Sequence, residues 1–207
     1  MPASFAAARA SSRLPLHHRV RAALLTLALL LPALVGAPPV ARAASCVVTD
    51  GGDSGANTLR GHLASPTCDT ITFAAGVTTV SVTTYLTIAR AVTIQGPGAG
   101  ALTIRHTGAS AANGNVFSIS GGTVTLRGLT VTGGRSTGSW GAGLSIAGIP
   151  APATVTLDGV TVTDNIATNA GGGGIYASNA TLTLLDSTVS ANQAVGAFNA
   201  RAYPQLW

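Results

Sequence analysis

From residue 44 onward the chain offers few side chains that could do chemistry. They are Asp50, Asp53, Asp69, Asp158, Asp164 and Asp186, the histidines His62 and His106, the cysteines Cys46 and Cys68, and the trio Arg135, Trp140 and Tyr176. Glycoside hydrolysis needs two carboxyl groups flanking one bond, and calcium needs six to eight oxygens converging on one point. Asp50, Asp53 and Asp69 lie near the cysteines, where they could bind calcium, but they match no complete loop motif. No cysteine or serine motif accompanies His62 or His106, so both are read as surface or cap residues. The sequence therefore assigns no catalytic residue, no metal site and no cofactor.

The charge balance depends on where the chain is divided. Arg9, Arg13, Arg19 and Arg21 form a positive region, Ala22 to Ala37 an apolar one interrupted by Pro32, and Ala41-Arg42-Ala43 a small-x-small cleavage site. Residues 1–43 thus read as an export signal, too short and too broken for the roughly 20 apolar residues of a membrane span. The formal net charge of +5 comes from that segment, because six arginines face six aspartates after it. A neutral remainder gives no electrostatic warrant for nucleic acid as a partner, and no transmembrane segment is expected after cleavage. In an exported chain Cys46 and Cys68 can pair. Acylation of Cys46 as a lipoprotein N-terminus, and two free thiols, are the alternatives.

The residues that must position these groups are written as a repeat. VTLRGLTVTGG (Val124 to Gly134), VTLDGVTVTDN (Val155 to Asn165) and LTLLDSTVSAN (Leu182 to Asn192) share one grammar, in which apolar residues alternate with threonine on either side of a two-residue interruption. Strict alternation is the mark of a half-buried strand. A third strand precedes each pair, at Phe117-Ser118-Ile119, Leu144-Ser145-Ile146 and Ile175-Tyr176-Ala177. The steps of seven, seven and thirteen residues give a period of 27, broken only by four extra residues in the Pro-containing stretch Gly148 to Ala153. Abundant threonine and glycine, with neither lysine nor glutamate, require no helix anywhere.

Three strands per 27-residue turn describe a parallel β-helix, in which residues at equal phase stack about 4.8 Å apart. The inward stacks are Phe117/Leu144/Ile175, Val124/Val155/Leu182, Leu126/Leu157/Leu184 and Val131/Val162/Val189. Val131, Leu157 and Leu184 are expected in the core. The outward rows are threonine, Asp158 falls beside Arg127 as a cross-coil charge pair, and Asn165 stacks with Gly134 and Asn192 at a left-handed corner. Looser strands from Ile71 to Ile104 predict one or two further coils. The chain divides into a signal at 1–43, an N-terminal cap and irregular coil at 44–84, regular coils at 85–194 and an atypical tail at 195–207. Pro204 would fall at an inward position of the next coil, so the helix reads as incomplete at its C-terminus and prone to end-to-end self-association.

DSGANTLRGHL (Asp53 to Leu63), DTITFAAGV (Asp69 to Val77) and GGGGIYASNATLTLLDSTVSANQA (Gly171 to Ala194) resemble exported bacterial right-handed parallel β-helix proteins of the pectin-lyase-like fold. The resemblance implies a surface or secreted protein. It also implies that enzymes of this group act on polysaccharides through clustered aspartates on one outer row, sometimes with calcium. Here that row reads Ser118, Ser145, Tyr176, without a carboxylate pair. Gly61-His62 departs from the amphipathic continuation that builds a capping helix in such proteins.

The segments Gly133 to Gly143 and Thr163 to Gly174 occupy equal phase and carry Arg135 and Trp140 beside the outward Tyr176. That trio is the candidate ligand-binding patch, with a polysaccharide or a surface protein as partner. The resulting expectation is an exported β-helix scaffold for adhesion or recognition. Its alternative is a piece of a polysaccharide lyase or glycoside hydrolase that lacks the catalytic coils.

Overall fold

The computed structural model describes residues 44–112 and 114–196; the expected signal and all of the tail beyond 196 lie outside the described residues. The chain winds as a parallel β-helix of about six turns. One sheet carries a strand from every turn, in the order β1 (Ala44–Val48), β2 (Cys68–Phe73), β5 (Val92–Gln95), β8 (Thr123–Arg127), β12 (Ala153–Asp158) and β16 (Ala180–Leu185). A second stacks β3 (Thr79–Val82), β6 (Thr103–His106), β9 (Thr130–Thr132), β13 (Thr161–Thr163) and β17 (Thr188–Ser190). A third stacks β4 (Leu86–Ile88), β7 (Phe117–Ile119), β11 (Leu144–Ala147) and β15 (Ile175–Ser178).

The expected phase is the observed register. Val124, Val155 and Leu182 are direct partners, as are Leu126, Leu157 and Leu184, Val131, Val162 and Val189, and Phe117, Leu144 and Ile175. Inward members from Val48 to Val162 form one continuous core. Each fully buried Val or Leu contributes roughly 1.5–3 kcal/mol, and each depends on the coil above and below to exclude water. This corrects one expectation: Val131 and Leu157 are fully buried, but Leu184 is 43% exposed and Val189 46%. Both point inward in the last described coil, where no further described strand covers them.

The thirteen-residue steps are more ordered than simple turns. They contain a fourth sheet of three-residue strands, β10 (Arg135–Thr137), β14 (Ile166–Thr168) and β18 (Gln193–Val195), paired in register. Two corner rows adopt left-handed backbone, Gly128/Gly159/Asp186 and Gly133/Asp164/Ala191. Asp164 and Asp186 therefore serve as corner residues, a conformation aspartate tolerates better than most. The left-handed position is Asp164 and not Asn165, which corrects the expected corner.

One helix forms among the described residues. α1 (Leu59–Ala64) closes the N-terminal end, packing against β1, β2 and β4. Thr58 caps it by accepting a hydrogen bond from the Gly61 amide, and Leu59 is fully buried beneath it. Gly61, which reads in sequence as a helix weakener, is required by close packing: a Cβ there would lie 2.2 Å from the Gly55 carbonyl oxygen. No helix among the described residues is long and apolar enough to cross a membrane.

Candidate functional site

Five of the six aspartates named above have side-chain partners in the framework, and the sixth, Asp186, sits at a corner through its left-handed backbone. Asp53 receives the Arg60 guanidinium at 2.6 Å and hydrogen bonds from the Thr83 backbone and hydroxyl. Burial raises its pKa, but the bonds from Thr83 and Arg60 prevail and hold the carboxyl below its ordinary value. Arg60 also donates to the carbonyls of Thr84 and Tyr85, so the DSGANTLR stretch ties the capping helix to the turn before β4. Asp50 accepts from the Gly52 amide, Asp69 lies 3.9 Å from Arg90, and Asp158 pairs with Arg127 at 3.2 Å, the expected cross-coil bridge. Asp50, Asp53 and Asp69 are thus spent on three separate local partners.

His106 is not the surface residue that sequence reading made it. It follows Ile104 by two positions in β6, so it shares the inward phase, and it is 4% exposed with neither ring nitrogen in a hydrogen bond. Burial pushes its pKa down, against the Asp53 charge and together with that of Arg135. His62 sits on α1, where its Nε2 meets the Val47 carbonyl at 3.0 Å.

Cys46 and Cys68 form a disulfide, with Cα atoms 5.5 Å apart. The bond fastens β1 to β2 and uses the Cys46 sulfur that acylation would require.

The expected patch is partly assembled. The two loop segments stack through main-chain bonds from Gly138 to Thr168, Gly141 to Gly171, Ala142 to Gly172 and Gly143 to Gly173. A separate small core of Ala142, Ala167 and Ala170 stiffens this ledge. Trp140 lies over Gly171, whose Cβ would sit 2.6 Å from the indole ring, and its ring centroid is 5.1 Å from that of Tyr176 at a 41° tilt. Such tilted pairs have favourable edge-to-face electrostatics. Arg135 instead turns to the corner, donating to the carbonyls of Gly134 and Asp164 at 3.0 and 2.7 Å. The structure joins Trp140 with Tyr176 and assigns Arg135 to holding the ledge in place.

Sequence reading also missed a cleft of about 340 Å³ beside α1, lined by Arg60, Leu63, Leu86, Thr87 and Arg90. Its arginines clamp backbone: Arg90 donates to the carbonyls of His62, Ser65, Cys68 and Ala91. No pattern in the sequence marks this pocket, because its two sides, residues 60–64 and 86–90, are distant in sequence.

Comparison with protein families, curated proteins and solved structures finds no match to this chain. The class is set by the fold alone, a parallel β-helix closed at its N-terminal end by one short helix.

Proposed function

We propose that this chain is an exported recognition or adhesion scaffold, of the pectin-lyase-like group that its DSGANTLRGHL and GGGGIYASNATLTLLDSTVSANQA stretches resemble, and that it binds polysaccharide without cleaving it. The observation that supports this reading is the aromatic ledge. Trp140 is 41% exposed, stacked on a glycine and beside Tyr176, on loops fixed by backbone bonds between coils. A flat, partly solvated indole on a rigid support offers a sugar ring an apolar face at little entropic cost. The lyase or hydrolase reading gains no support from the aspartates: Asp53, Asp69 and Asp158 face Arg60, Arg90 and Arg127, Asp50 accepts from the Gly52 amide, and Asp164 and Asp186 stand at corners.

The test is retention of the purified chain on immobilised polysaccharides, with sugar ends measured in the same samples. Wild type should be retained on at least one polysaccharide, and Trp140→Ala should abolish retention while keeping the β-sheet circular dichroism spectrum. Retention unaffected by Trp140→Ala would overturn the ledge as the binding site. Release of reducing or unsaturated ends would favour the enzyme reading.

A further inference from the structure

We propose that the N-terminal cap holds a redox-gated metal site, in which Cys46, Cys68 and His62 bind a zinc-class ion when the disulfide is open. The Cys46 and Cys68 sulfurs and a ring nitrogen of His62 lie within 4.8 Å of one another. Two thiolates and an imidazole are a donor set that zinc accepts, the fourth tetrahedral position going to water.

The histidine is already oriented for this role. A carbonyl oxygen only accepts, so the 3.0 Å contact with Val47 requires His62 to carry its proton on Nε2. In the neutral ring Nδ1 is then left with a lone pair, and it faces the Cys68 sulfur at 3.8 Å. Metal-binding histidines are held in this way, one ring nitrogen donating to a carbonyl while the other ligates. The supports on either side are equally fixed. The Thr58 cap and buried Leu59 seat the helix, and Arg90 bonds the carbonyls of both His62 and Cys68, a tie between helix and strand that does not pass through the sulfurs.

The chemistry balances as follows. A phosphine reductant and one water convert the disulfide to two thiols and become phosphine oxide. A divalent zinc-class ion then displaces the two thiol protons and takes the neutral Nδ1 as its third protein ligand. Reoxidation of the thiolates to the disulfide, by an electron acceptor such as oxidised glutathione, expels the ion. Disulfide and metal are therefore mutually exclusive fastenings of the same helix.

Cobalt(II), a coloured substitute for zinc, reads the site directly. The full chain is reduced with phosphine under anaerobic conditions and titrated with cobalt, then with zinc in competition. A thiolate-to-cobalt absorption saturating at one equivalent is expected, absent from the oxidised chain and erased by zinc. His62→Gln should weaken binding by about tenfold or more, and His62→Cys should restore it with a stronger thiolate band. The proposal is overturned if the reduced chain shows no thiolate band, if it binds cobalt only after losing its β-sheet spectrum, or if His62→Gln binds as tightly as wild type.

Discussion

At the residue scale, His106 and Asp53 give the fold two acid-sensitive windows of the same sign. Burial keeps His106 neutral in the folded chain, with a pKa below its ordinary 6.5. As pH falls below about 6.5 the unfolded chain takes up that proton first, so stability declines until the folded group also protonates. Asp53 is likewise held below its ordinary 3.8, so its contribution is intact above that value and is lost as pH falls through the folded pKa. Melting temperature measured against pH should thus be level above about 7, step down below about 6.5, and fall again below about 4. His106→Phe should remove the first step and leave the second; a first step that survives this substitution would assign it to another group. The burial of His106 was legible in principle from its spacing to Ile104. What misled is the prior that a lone histidine sits outside, together with its place at the end of a strand.

At the scale of elements, the corners are held by side chains as much as by strands. Asn165 is fully buried, its Oδ1 accepting from the Gly134 amide at 2.9 Å and its Nδ2 donating to Asn192 at 2.9 Å, while Asn192 in turn donates to Val162. Asn165→Ala would leave the Gly134 amide buried without a partner, so urea denaturation should show a loss of about 1–3 kcal/mol, against a few tenths for Thr156→Ala on the outer face. The inward stack gives a second contrast. Leu157→Ala should cost about 2–5 kcal/mol, whereas Leu184→Ala, at the same phase but 43% exposed, should cost markedly less. Equal losses would mean that Leu184 is covered. The strand rows and their stacks were readable because each inward position is a large apolar residue. The fourth sheet was not, since a three-residue strand has one inward position and here it is Ser136, Ala167 or Ala194, too small to mark a period. The capping helix was obscured by Gly61, whose reason lies in a contact with Gly55 rather than in helix propensity.

At the scale of the whole molecule, the two ends of the solenoid differ. The N-terminal end is closed by α1 and the disulfide, while among the described residues β15, β16, β17 and β18 are each last in their sheets and leave Leu184, Leu185, Val189 and Val195 exposed. Unpaired strand edges beside apolar side chains favour edge-to-edge association. Light scattering after size exclusion should therefore show the purified chain associating as its concentration rises, and Leu184→Lys with Val189→Lys should shift it toward monomer; a concentration-independent monomer would contradict this. The phase lock underlies the rest of the molecule, because the ledge, the corner rows and the asparagine ladder all follow from residues one turn apart lying side by side. The most direct measurement is disulfide capture between outward threonines. Thr156 and Thr183 are register partners, and directly paired parallel residues lie about 4.8 Å apart, within the range that a disulfide spans. A chain carrying Thr156→Cys and Thr183→Cys should close that bond quantitatively under mild oxidation, as read by peptide mapping, whereas Thr156→Cys with Ser187→Cys should not. Efficient closure of the second pair, or failure of the first in a chain that keeps its β-sheet spectrum, would contradict the 27-residue stack.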